Sequence, residues 1–296
     1  MDAEILGSEE AMRTLKRSLV ILGVTAALQL VVVILSGSIA LLADTIHNVG
    51  DALTAVPLGA AFILARRPTT RRLTYGWGRA EDLAGLIVVA LILFSSLVAA
   101  YEAVERLIDP REPSHLLITA LAGVIGFIGN EWVAVYRIRS GRRIGSAALV
   151  ADGHHARVDG FTSLAVVAGV IGVALGAPIA DPIVGLLISV AIARIVWQSA
   201  KSIGLRALDG IEEPVVEQLA AAATSVPGVR AVDEVRARWV GHAIRAEIAV
   251  TSDPGQSLAD ATALADKVEH AVLDAVPHTS RAAVRVTAAA RPRVVA

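Results

Sequence analysis

Six apolar runs, near residues 14–36, 39–65, 80–107, 114–137, 145–176 and 179–203, are each long enough to cross a bilayer, which takes roughly 20 helical residues. Short breaks part them: Ser36-Gly37-Ser38, Arg66 to Gly78, Asp109 to Pro113, Ser140 to Arg143 and Gly176-Ala177-Pro178. After about residue 207 the pattern changes. Residues 213–225 and 257–275 carry helical periodicity, whereas 229–240, 243–251 and 282–288 are rich in Val and Ile alternating with polar residues and read as strands. Pro227-Gly228 and Asp253-Pro254-Gly255 are turn signals. The expected architecture is an α-helical membrane domain of six spans, residues 1–206, followed by a small cytoplasmic α+β domain, residues 207–296. Its order of helix, strand, strand, helix, strand suits a ferredoxin-like fold.

Within the apolar sequence one polar pattern occurs twice. Ala43-Asp44-Thr45-Ile46-His47-Asn48-Val49-Gly50-Asp51 and Ala151-Asp152-Gly153-His154-His155-Ala156-Arg157-Val158-Asp159 both contain Asp-x-x-His-x-x-x-Asp. On a helix, positions i, i+3 and i+7 stack on one face over two turns. His47 lies about eight residues from the outer end of the second span and His155 about ten from the inner end of the fifth. At 1.5 Å per residue both fall roughly 12–15 Å deep, near the midplane of a core about 30 Å thick. The two spans are antiparallel, so the two triads meet at one depth. An Asp at the centre of a membrane helix costs about 2.5–3.5 kcal/mol, so four unpaired charged ones would cost on the order of 10 kcal/mol. A divalent cation, or protons, offsets that. Imidazole and carboxylate together suit a borderline metal in tetrahedral geometry. Asp44 and Asp152 remain open between ligand, helix start and partner that orients a histidine, the last being preferred. His154 faces about 100° away from His155, which suits packing or a vestibule.

Composition agrees. The 296 residues are 55% hydrophobic, with mean hydropathy +0.63, too apolar for an ordinary soluble domain. The absence of cysteine excludes disulfides and thiolate sites. A net charge of −1 gives no reason to expect nucleic acid. The segment Met1 to Glu10 lacks a signal-peptide pattern. Basic residues set orientation. Arg13, Lys16 and Arg17 precede the first span. Arg66, Arg67, Arg71, Arg72 and Arg79 fill the second loop, and Arg137, Arg139, Arg142 and Arg143 the fourth. Lys201 and Arg206 follow the last span. Both termini are therefore expected in the cytoplasm of a prokaryotic cell. Asn130 and Glu131, inside the fourth span, are expected to face the bundle or its vestibule. Glu81 and Asp82 open a helix, where acids favour the dipole.

These residues together resemble the cation diffusion facilitator family of divalent-metal transporters. The resemblance covers nearly the whole chain and includes both repeated motifs, Gly78-Arg79-Ala80-Glu81 before the third span, Leu208-Asp209-Gly210 after the sixth, and the ferredoxin-like tail. It implies secondary active export of a transition metal, usually Zn²⁺, in exchange for protons across a homodimer, with no prosthetic group. It implies His47, Asp51, His155 and Asp159 as ligands. A histidine in the second span resembles the zinc-preferring variant, although Co²⁺, Cd²⁺, Fe²⁺ or Ni²⁺ also fit such a set. It implies further a salt bridge between Arg79 and Asp209. Two departures stand out. Trp77 occupies a histidine position before the third span, so no metal is expected there. Val284-Arg285-Val286-Thr287 and Ala249 lack the His and Asp of the family's cytoplasmic metal sites. His242, His270 and His278 remain in the tail, read mainly as surface histidines, with a reduced site of His242 and His278 as the other reading. A membrane metallohydrolase wants an open coordination position, which four protein ligands close. A passive cation channel would show no proton coupling. No Gly-Lys-Ser/Thr phosphate loop is present for ATP hydrolysis.

Overall fold

The computed structural model describes residues 3–36, 55–108, 116–176 and 180–288. Chain contacts divide it into two units, Ser8–Ile203 and a second unit of Gly204–Ala296 with Met1–Gly7.

The larger unit is all helix: α1 (Ala3–Ser36), α2 (Ala55–Ala65), α3 (Arg79–Ile108), α4 (Leu116–Ile144), α5 (Ala147–Ala174) and α6 (Ala180–Ala207), whose last turn belongs to the second unit. Among the described residues, stretches of α1, α3, α4 and α6 pass as membrane spans by length and apolarity. The helix α5 carries the charges Asp152, Arg157 and Asp159, and the described part of the second span is α2 alone. The polarity is that of a membrane protein turned inward. Large apolar side chains such as Phe94, Leu117, Leu187 and Trp197 are two-thirds exposed or more. Thr14, Ser18, Gln29, Asn130, Arg137, Ser140, Asp152, His155 and Asp159 are buried.

The fourth loop differs from the sequence expectation. The chain stays helical through Ser140–Arg143 and turns only at Gly145. Arginine is a good helix former, so nothing stops α4 before a glycine. Gly145 takes the left-handed conformation at φ 74°, and the Ser146 N–H reaches back to the Gly141 carbonyl at 2.8 Å, a helix-ending closure. Ser146 Oγ then accepts from the Leu149 N–H at 3.1 Å and caps α5. The same hydroxyl donates to Glu81 Oε1 at 2.5 Å, tying the turn to the first turn of α3.

Glycines let α4 come close to its neighbours. A Cβ at Gly129 would lie 2.2 Å from Thr25 Oγ1 on α1, one at Gly126 2.8 Å from Ser163 Oγ on α5, and one at Gly153 3.0 Å from the Ile138 backbone nitrogen. Small residues with hydroxyl partners are how membrane helices pack without a hydrophobic drive. Thr14 and Ser140 share a buried hydrogen bond of 2.8 Å between α1 and α4, and Glu10 pairs with Arg143.

The second unit contains α7 (Glu213–Thr224), β1 (Ala231–Val240), β2 (Ala243–Thr251), α8 (Leu258–Ala275) and β3 (Thr279–Thr287). β1 pairs antiparallel with β2, and β2 parallel with β3. A parallel pair needs a crossover, which α8 supplies. Leu219 and Ala223 of α7, and Leu264, Val268 and Val272 of α8, pack with Ala246, Ile248, Val250 and Ala282 into one core. The helices cover one sheet face, and the alternate strand residues line the other. This is the ferredoxin-like αββαβ arrangement, with a helical membrane domain before it.

Candidate metal site

α5 presents Asp152, His155 and Asp159 on one face, with relative exposures of 0%, 2% and 7%. Three and seven residues separate the second and third from the first, so the helix itself aligns them. His155 Nδ1 lies 3.9 Å from Asp159 Oδ1. That is beyond a hydrogen bond, and it sets an imidazole and a carboxylate side by side, one turn apart. Neutral imidazole and ionised carboxylate are both lone-pair donors, so the pair suits a borderline divalent cation. Thr162 and Ser163 hydroxyls donate to the Asp159 backbone carbonyl at 2.7 and 3.1 Å. The other half of the expected set, His47 and Asp51 together with Asp44, lies outside the described residues.

Asp152 has a strong partner. Arg137 Nη1 lies 2.9 Å from its Oδ2, with side chains 3% and 0% exposed. A second pair follows about one and a half turns further along the hairpin: Arg157 donates from Nε and Nη2 to both carboxylate oxygens of Glu131 at 3.0 and 2.7 Å. The fork geometry is bidentate and fixes α4 against α5. Sequence reading missed both arginines as site neighbours. Arg137 was counted among the basic loop residues, and Arg157 was passed over inside the repeated motif. The signal was available in the positions: Arg137 and Asp152 stand nearly equidistant from Gly145, and so do Glu131 and Arg157. A tight hairpin of antiparallel helices brings such positions together.

His154 Nδ1 is 2.9 Å from Ser199 Oγ of α6, so it joins two helices. Glu81 and Asp82 are buried. Arg79 donates to Asp82 Oδ2 at 3.2 Å in the first turn of α3. In the second unit Asp209, at φ 60°, accepts from Arg238 at 3.4 Å. His270 is exposed, its Nδ1 2.6 Å from the Asp266 carbonyl. His242 is buried. The His278 ring lies 5.8 Å from Trp239, over which the Arg206 guanidinium sits at 4.0 Å, while Trp239 Nε1 donates to Glu212 at 3.0 Å.

Burial, then the nearby Arg206 and His242 charges, holds His278 below the usual histidine value. A lowered folded-state value means the unfolded chain takes the proton first. The contribution is intact above about pH 6.5 and is lost as pH falls below it. Protection of the β2 and β3 amides in the full-length protein, taken relative to the intrinsic exchange rate at each pH, should therefore fall on acidification from pH 7 to 5. His278→Asn, which tolerates the φ of 66° there, should flatten that dependence. An unchanged pH profile in the variant would assign the effect elsewhere.

Buried polar helices with apolar outer faces, and a buried His-Asp pair inside them, define an ion-handling membrane protein. Comparison with known proteins places it. Residues 15–205 match the cation efflux transmembrane domain, and residues 211–286 the cation efflux protein cytoplasmic domain. The chain belongs to the cation efflux, or cation diffusion facilitator, family: it is a membrane transporter of divalent metal cations, not an enzyme. It is 53% identical over 282 residues to the probable cation efflux system protein Rv2025c of Mycobacterium tuberculosis, covering 95% of this chain and 85% of that one. It is 30% identical over 267 residues to the zinc transporter ZitB of Escherichia coli, covering 88% and 83%. It is 29% identical over 250 residues to the magnetosome protein MamB of Magnetospirillum gryphiswaldense, covering 83% of each.

Proposed function

We propose that this transporter exports Zn²⁺ from the cytoplasm in exchange for protons, through a midplane site of His47, Asp51, His155 and Asp159. The observation that carries this reading is the burial of His155 and Asp159, 3.9 Å apart on one face of α5, in a helix set otherwise apolar toward lipid. Membrane-buried ionisable groups of this kind mark ion pathways. Similarity to a protein named as a zinc transporter supports the choice of metal, and Co²⁺, Cd²⁺, Fe²⁺ and Ni²⁺ are its competitors.

Proton coupling follows from the ligands. Histidine binds metal only when neutral, so protons and metal compete for the same lone pair. Rocking of helices about a fixed midplane site exposes it to each side in turn, and metal leaves where protons arrive. The working unit is a homodimer, as the description of the cytoplasmic family region fits, with residues 1–206 in the membrane, residues 207–296 in the cytoplasm, and both termini on that side.

The test is metal transport by purified protein in liposomes enclosing a pH-sensitive dye. Zn²⁺ should drive a proton flux opposite in direction, faster than the other four ions do. Metal movement with no dye response would overturn exchange in favour of a passive channel. A faster response to another ion would reassign the substrate.

A further inference from the structure

Within the helical unit, one side of the seam between α1 and α4 gathers arginines at a single end. Glu10 pairs with Arg143, Thr14 shares a hydrogen bond with Ser140, and Arg17 Nη1 donates to the Tyr136 hydroxyl at 3.4 Å. Gly129 lies against Thr25, so the two helices run antiparallel in one register. Glu10, Arg13 and Arg17 are spaced i, i+3, i+7 and form a stripe on α1; Tyr136, Arg139 and Arg143 repeat the spacing on α4. The Glu10–Arg143 and Arg17–Tyr136 contacts put both stripes on the same side of the seam. Arg139 therefore stands at a height between Arg13 and Arg17, and all three are exposed. Like charges one turn apart destabilise a helix, and here Arg13 with Arg17 faces Arg139 with Arg143. Glu10 neutralises Arg143. Among the described residues no carboxylate pairs with Arg13, Arg17 or Arg139: Arg13 donates to the Glu9 backbone carbonyl, and Arg17 to Tyr136.

We infer that this side of the α1–α4 seam binds one anionic phospholipid, its phosphate held by Arg17 and Arg139 and its acyl chains lying along the seam below them. Depth selects a lipid. At 1.5 Å per residue, Ser18–Ser36 of α1 and Leu116–Tyr136 of α4 each rise about 30 Å, the thickness of a hydrocarbon core. The arginines stand just past that length, at headgroup level. Tyr136 and Trp132 follow on the α4 stripe, where amphipathic rings sit at the membrane interface. Val20 and Val24 continue the α1 stripe and Ile128 the α4 stripe, each more than half exposed. Cation, aromatic and aliphatic levels thus follow the order of a phospholipid from phosphate to chains. Arginine forks match phosphate oxygens. The bond to Tyr136 already steadies Arg17 across the seam, so less ordering remains when a phosphate arrives. Basic clusters at the end of a membrane helix attract anionic lipid, each arginine adding to the attraction. This inference uses the membrane placement of the helical unit and neither the metal site nor the cytoplasmic unit, so it is tested without transport.

Native mass spectrometry of the full-length protein in detergent, offered phosphatidylglycerol, phosphatidylcholine or inorganic phosphate, reads retention directly. Phosphatidylglycerol should be retained about fivefold or more over phosphatidylcholine, and Arg17→Gln or Arg139→Gln should each reduce that preference about fivefold. Lys16→Gln removes a charge from the same turn of α1 about 100° round the helix, off the stripe, and should leave the preference unchanged. Equal losses in all three variants would reduce the effect to bulk charge and overturn the site. Retention of inorganic phosphate with no preference between the lipids would overturn the lipid as the occupant. Loss of dimer in the arginine variants with lipid preference intact would overturn the site in favour of a partner contact. Arg17 and Arg139 are exposed and stand on different helices, so either variant tests the inference if the other fails to fold.

Discussion

Asp159→Ala and His155→Ala are expected to reduce metal-driven proton flux in liposomes on the order of 100-fold or more. Removing groups that merely orient a ligand typically loses 10–100-fold in metal affinity, and a ligand itself should lose at least that much. His155 and Asp159 occupy one helix face one turn apart, so the helix pre-sets their separation and little ordering remains when a metal arrives. Asp51→Ala should match Asp159→Ala if the second span supplies the opposite half of the set. Folding must be separated from ligation, because His155 is buried and its truncation leaves a cavity. Asp159→Asn keeps volume and hydrogen-bonding capacity, and His155→Gln, which stays polar and closer to histidine in size than alanine is, limits the cavity, while both weaken metal affinity. They should fold like the parent and still fail to transport. Unchanged Zn²⁺/H⁺ exchange in the Asp51→Ala or Asp159→Ala variant would refute the site.

Much of this was legible in the chain, for identifiable reasons. The αββαβ order was readable because each strand alternates cleanly and each turn carries Gly or Pro, as at Pro227-Gly228; the strands begin and end within a few residues of expectation. The face of α5 was readable because helix geometry alone aligns positions 152, 155 and 159. The charges around it were harder. Four arginines at 137, 139, 142 and 143 in a short segment between two spans look like an orientation signal and a loop. Two lie in the last turn before Gly145, while Arg137 is buried two turns earlier. What separates them is where the helix stops, and no residue before Gly145 breaks it. A charge count assigns sidedness; it does not say which arginine the hairpin folds inward. Arg157 was hidden differently, inside a motif whose neighbours drew the attention, with its partner Glu131 on another helix.

Arg137→Leu is expected to destabilise the membrane unit by about 3–5 kcal/mol, because it strands a carboxylate whose exposure is 0%. The pair is formed at 2.9 Å with both side chains sealed from solvent, so water cannot replace the lost guanidinium. The double variant Arg137→Leu, Asp152→Asn removes the stranded charge and should recover most of the loss, since replacing both partners of a buried pair is often close to neutral. Thermal unfolding in detergent distinguishes the two. Equal destabilisation of single and double variants would mean that Arg137 acts through its packed stem rather than its charge. The same comparison bears on transport. Asp152 lies one turn from His155, so a guanidinium on Asp152 lends positive charge to the wall of the site and occupies a carboxylate that would otherwise compete for the cation. A double variant that regains stability but not transport would show that the pair serves the metal path; one that regains both would show that its role ends with holding α4 on α5.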